Sequence, residues 1–167
     1  TTVGNIVDLD YTINSLTYNN TGTSGNFWQV TEISNTKTLT LDAAGSAPPT
    51  IFTVGGVASA STRVAIRGSG TFTINEASAA ISVGTPTGNQ SALLDMSGLS
   101  TFNATVATAN FGAGQGNGDV TLANTNAITA TTLNLGTSIS STGSTTKSDL
   151  LLGTTNVIHA DTINVGL

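Results

Sequence analysis

Two segments of this chain are copies of one another, and that constrains its fold more than any other feature. GDVTLANTNAITATTLNLG (118–136) and SDLLLGTTNVIHADTINVG (148–166) align without a gap at an offset of 30. Nine of the nineteen positions are identical: Asp119/Asp149, Leu122/Leu152, Thr125/Thr155, Asn126/Asn156, Ile128/Ile158, Ala130/Ala160, Thr132/Thr162, Asn134/Asn164 and Gly136/Gly166. The exchanges at Val120/Leu150, Leu133/Ile163 and Leu135/Val165 keep apolar character. FNATVATANFG (102–112) is a looser copy and INEASAAISVG (74–84) looser again, both closing on a glycine. Repeats at such a period belong to architectures in which each unit buries its apolar face only by stacking on its neighbours.

The pattern inside the copies is alternation. Across residues 6–13 the apolar Val7, Leu9, Tyr11 and Ile13 fall on one face of an extended segment, with Asp8, Asp10 and Thr12 on the other. The same two-residue beat recurs at Leu39 and Leu41, Phe72 and Ile74, Ile81 and Val83, Leu133 and Leu135, and Ile163 and Val165. Turn-forming clusters follow almost every run: GTSGN (22–26), AAGSAPP (43–49), GSG (68–70) and GAGQGNG (112–118). No window shows helical spacing over ten residues, and the Ala-rich NEASAA (75–80) is the one stretch with any helical character. Short strands at regular spacing fit a sandwich, a barrel or a solenoid, and the repeat decides for an all-β parallel β-solenoid. At roughly 20–30 residues per coil the chain holds about six or seven coils in a single domain, 1–167, opened by an aromatic-rich strand or cap region, 1–30.

Such a solenoid accounts for the composition. Thr, Ser, Asn and Gly make up 84 of 167 residues, while only 8% are charged and 5% aromatic. A thin strip of Leu, Ile, Val and Ala serves as core, and β-branched Thr suits exposed sheet faces. Asn126 with Asn156, and Asn134 with Asn164, are placed to stack and bond along the axis. The recurring glycine permits positive φ at the coil corner. The absence of cysteine excludes disulfides and thiolate-bound zinc. Four Lys plus Arg in a chain of net charge −5 provide no field for nucleic acid or anionic lipid. No apolar run approaches the roughly 18 residues of a spanning helix. The start at Thr1, without a leader pattern, reads as mature or excised material.

LTYNNTGTSGNFWQVTEISNTKTLTL, LLDMSGLSTFNATVATANFG and the two close copies resemble the large secreted β-helical repeat proteins of Verrucomicrobia and related bacteria, broadly similar to autotransporter-type passenger regions. The resemblance covers roughly residue 14 to the end. It implies a right-handed parallel β-helix, exported to the cell surface or extracellular matrix, in structural or adhesive use. No C-terminal barrel or sorting sequence accompanies the motifs here, so the resemblance leaves the export route open.

The candidate chemistry is sparse. His159, the only histidine, aligns with Thr129 and reads as a solvated coil residue rather than a general base. Asp8 and Asp10 share a strand face, which an exposed N-terminal strand explains better than paired catalytic carboxylates. Asp119 and Asp149 occupy one place in two coils, but one carboxylate per coil is thin ligation for Ca²⁺, and capping of turn amides is preferred. The glycine-rich 112–119 lacks the Lys-Ser/Thr pair of a phosphate loop and the strict spacing of a calcium nonapeptide, and reads as a loop. Trp28, Phe27, Tyr18 and Tyr11 form either a sugar-stacking platform or a plug for the open end. Asn19-Asn20-Thr21, Asn89-Gln90-Ser91 and Asn103-Ala104-Thr105 match the glycosylation sequon, as chance produces in such a composition. Arg63, Arg67, Lys37 and Lys147 are scattered, which disfavours a carbohydrate-active enzyme. Thr ladders raise an ice-binding reading, against which no strict Thr-X-Thr recurs at a constant interval.

These readings converge on a secreted, non-enzymatic structural protein without cofactor or metal, belonging to a surface or matrix fibre. Its partners are copies of itself, joined by stacking or by exchange of the N-terminal strand bearing Val7, Leu9, Tyr11 and Ile13 across the open end after Leu167. The alternative is an adhesion or glycan-binding module of a larger surface protein, using the Thr/Asn faces or Trp28 and its neighbours. Neither nucleic acid nor membrane insertion is expected.

Overall fold

A computed structural model describes residues 3–20, 27–43, 45, 49–55, 61–84, 91–112, 117–136 and 148–166. Among these every regular element is a strand: β1 (Val3–Val7), β2 (Tyr11–Ile13), β3 (Leu16–Tyr18), β4 (Trp28–Ile33), β5 (Thr38–Leu41), β6 (Thr50–Val54), β7 (Thr62–Val83), β8 (Ala92–Asp95), β9 (Leu99–Phe111), β10 (Gly118–Thr121), β11 (Thr125–Leu135), β12 (Leu150–Leu151) and β13 (Thr155–Val165). All pairings are parallel, so the chain returns to the same side after each circuit.

Each circuit has three faces. β7 contains all three in one strand of 22 residues, with register shifts between Gly68 and Thr71 and between Glu76 and Ala80 marking its corners. Face 1 stacks β1, β4, residues 62–67, β8, β10 and β12. Face 2 stacks β2, β5, residues 71–76, 101–106, 125–130 and 155–160, and face 3 stacks β3, β6, residues 80–83, 108–111, 132–135 and 162–165. The result is a β-solenoid, as the repeat predicts. Its strands stack at six levels, of which the inner ones make about four complete turns covered on both sides, a count that differs slightly from the expected six or seven coils. Circuit length varies with the connectors: the register offset from Trp28 to Arg63 is 35, whereas from Thr101 to Thr125 it is 24.

The alternation within each strand delivers the core. Inward columns on face 2 run Leu39, Phe72, Phe102 and Leu41, Ile74, Ala104, Ile128, and on face 3 Phe52, Ile81, Ala109, Leu133, all buried. Phe72 stacks on Phe102 at 5.6 Å between ring centroids and meets Phe52 edge-on at 5.3 Å. The Ala-rich 75–80 is the second corner of β7, with Ala79 turned into the core.

Glycines close face 3 level after level. Gly55, Gly84, Gly112, Gly136 and Gly166 have φ of +145°, +142°, +79°, +63° and +56°. Each donates its N–H to the level before, as Gly84 does to Val54 O at 3.0 Å. A Cβ on Gly55 would sit 2.1 Å from Gly84 O, so both the φ and the close approach require glycine there. Connectors follow this corner at several levels, and another, residues 42–49, joins β5 to β6. The segments 22–26, 113–116 and part of 43–49, read as turns, lie outside the described residues, as do Thr21, Asn89, Gln90 and Lys147.

Residues 6–13 do not form one strand. β1 ends at Val7, which is buried and paired with Ile33; Asp8, Leu9 and Asp10 turn the corner; β2 begins at Tyr11 and pairs with β5. The Asp10 carboxylate accepts the Thr38 N–H at 2.7 Å and ties that corner down. Val7, Leu9, Tyr11 and Ile13 are therefore split over two faces and a bend rather than lying along a single strand.

Candidate functional site

The three faces carry different chemistry outside. Face 3 presents two columns, Thr50, Ala80, Thr108, Thr132, Thr162 and Thr17, Thr53, Ser82, Asn110, Asn134, Asn164, with no charged residue at any level. Its amides are linked along the axis: Asn134 Nδ2 donates to Asn110 Oδ1 at 2.7 Å, and Asn164 Nδ2 to Asn134 Oδ1 at 2.8 Å. Face 2 stacks Thr38, Thr71, Thr101, Thr125 and Thr155 in one column and Thr12, Thr40, Thr73, Asn103, Ala127 and Val157 in the next. Parallel register thus aligns threonines that unequal sequence intervals conceal, although the second column loses Thr after Thr73.

Face 1 is mixed. Its outward columns are Trp28, Arg63, Leu93, Asp119 and Val30, Ala65, Asp95, Thr121, Leu151, beside which Glu32 pairs in register with Arg67. Ala65 lies between Val30 and Asp95 in its column, and its small side chain leaves a depression of about 240 Å³ lined by Trp28, Val30, Ala65, Arg67 and Asp95. Val30 is 8% exposed and forms an apolar floor. Arg67 donates through Nε and Nη2 to one Glu32 oxygen, at 3.3 and 3.2 Å. The Asp95 carboxylate accepts the Ser97 N–H at 2.9 Å. A half-buried indole, an apolar floor and polar groups of both signs form a surface that can hold a small polar ligand with an apolar side.

The N-terminal aromatics do not form one platform. Tyr18 is buried, meets Phe52 edge-on at 6.2 Å, and its hydroxyl hydrogen-bonds Thr31 Oγ1, which donates to Asn5 Oδ1 at 2.7 Å. Burial pushes the Tyr18 phenol above its ordinary pKa, and the Thr31 bond offsets part of that rise. Trp28 lines face 1, while Phe27 and Tyr11 are exposed. His159 stands on the outside of face 2 in register with Thr129. Asp119 accepts the Asp149 N–H at 3.2 Å, a bond from one level to the next. Among the described residues no three carboxylates or histidines come together as a metal site, and no helix is long and apolar enough to cross a membrane.

Sequence reasoning missed Glu32, Ala65 and Asp95, and treated Arg67 as one of several scattered cations. They meet only through register, at offsets of 35 between β4 and β7 and 30 between β7 and β8. The one local signal is the alternation Arg63, Ala65, Arg67, which places all three on one side of a strand. No family model, curated protein or solved structure matches the chain.

Proposed function

We propose that this solenoid is a structural module of an extracellular surface or matrix, which packs by face 3 against copies of itself. The observation that carries the reading is the charge-free outer surface of face 3 over six levels. Burying such a surface desolvates no ion, and no like charges meet across it. Part of its hydrogen-bonding capacity is already used within the amide ladder, which lowers the cost of removing water. Its β-branched and ladder-bonded side chains also lose little freedom on contact.

The face is about 13 Å wide and about 24 Å tall at ordinary strand and level spacings. That is less than the roughly 800 Å² per partner of a standard stable interface, so one pair of copies binds weakly and repetition supplies the strength. Export, and kinship with the secreted β-helical proteins that the coil motifs resemble, belong to the same proposal. Electron microscopy of the concentrated chain is expected to reveal fibres or sheets, which Asn134→Lys and Thr132→Lys disperse. Dispersed particles throughout, or assemblies indifferent to both substitutions, contradict the reading.

A further inference from the structure

The depression on face 1 is separate from the packing face and has its own chemistry. We propose that it binds one residue of a neutral pyranose sugar. Trp28, Val30 and Glu32 alternate along β4, Arg63, Ala65 and Arg67 along β7, and Leu93 and Asp95 along β8, so the outward residues form a grid with Ala65 at its low point. Grid spacings are about 4.8 Å between levels and about 6.6 Å along a strand, comparable with the span of one six-membered ring. A pyranose has an apolar face of C–H bonds and a rim of hydroxyls. The Trp28 indole and the Val30 floor match the first. The rim meets a guanidinium that donates and carboxylates that accept, and the Arg67–Glu32 pair fixes these groups before any ligand arrives.

Charge selects the ligand class. Arg63 and Arg67 are balanced by Glu32 and Asp95, so an anionic sugar finds no excess of positive charge to hold it, whereas neutral hydroxyls can satisfy both signs. Gly98 adds to the access: a Cβ there would approach Arg67 Cβ to 3.1 Å, and its absence leaves the Arg67 stem uncrowded from the next level. Substitution of Ala65 fills the depression from its outer side and leaves the buried Val64 and Ile66 untouched.

Trp28 is the only tryptophan, so its fluorescence reports on this site alone. Titration of the Asn134→Lys chain, in which face 3 packing is disabled, with cellohexaose, chitohexaose and mannohexaose separates this proposal from the assembly reading. At least one sugar is expected to give a saturable shift in emission, weakened about tenfold or more by Ala65→Phe and by Arg67→Gln. Circular dichroism and thermal melting verify that each variant is folded, and Arg67→Gln decides should Ala65→Phe fail to fold. No saturable change with any of the three sugars overturns the proposal. So does a response that survives in a folded variant.

Discussion

At the scale of single residues, the chain depends on a few positions where the backbone leaves no choice. Gly55 and Gly166 occupy equivalent corners but differ in surroundings. A Cβ on Gly55 meets the Gly84 carbonyl, whereas one on Gly166 meets nothing within 4 Å. Gly55→Ala is therefore expected to cost about 2–4 kcal/mol through combined strain and clash, and Gly166→Ala about 1 kcal/mol through its positive φ alone. Denaturant midpoints of the two variants check the difference. Tyr18 supplies a pH dependence whose sign follows from burial. Its phenol is held above its ordinary value of 10.0 in the folded chain, so above that pH the unfolded chain releases a proton that the folded chain still holds. Stability then falls as pH rises past about 10. Tyr18→Phe is expected to flatten the decline between pH 9 and 11, measured by urea denaturation. An unchanged slope would show that burial of this hydroxyl has no energetic consequence.

At the scale of elements, the alternation and the repeat made much of this structure readable in advance. Asn126 with Asn156 and Asn134 with Asn164 were placed in shared columns from sequence, and they bond at 2.9 and 2.8 Å. The corner glycines were legible for the same reason, because a residue that recurs at the end of each strand marks a recurring backbone need. The candidate site was not legible. Trp28, Ala65 and Asp95 become neighbours only once the connector lengths have set the register, and those lengths vary from circuit to circuit. The reading of residues 6–13 failed because alternation continues by accident through a corner, and Leu9 falls on the bend rather than in a strand. Stacking order also sets dynamics. The middle levels have neighbours on both sides, whereas β13 pairs only with β11, and its Ile163 and Val165 are 56% and 68% exposed. Amide exchange is expected to be slowest across residues 71–111 and much faster across 155–165, and uniform protection would contradict the unequal support.

At the scale of the whole molecule, the three faces divide the chemistry. Two present uncharged ladders over much of their area, and the third gathers both described arginines with Trp28, Glu32, Asp95 and Asp119. A composition that is half Thr, Ser, Asn and Gly thus has a spatial meaning, since small uncharged side chains keep a parallel sheet flat and free of repulsion. Charge on face 3 separates a packing surface from a merely solvated one. Sedimentation equilibrium of the chain from about 10 µM to about 1 mM, beside Asn134→Lys, tests this most directly, because a weak interface of this area saturates only towards the upper end. The account predicts reversible growth in mass with concentration for the unaltered chain and a constant monomer mass for the lysine variant. A constant monomer mass for both, or equal growth in both, would contradict it.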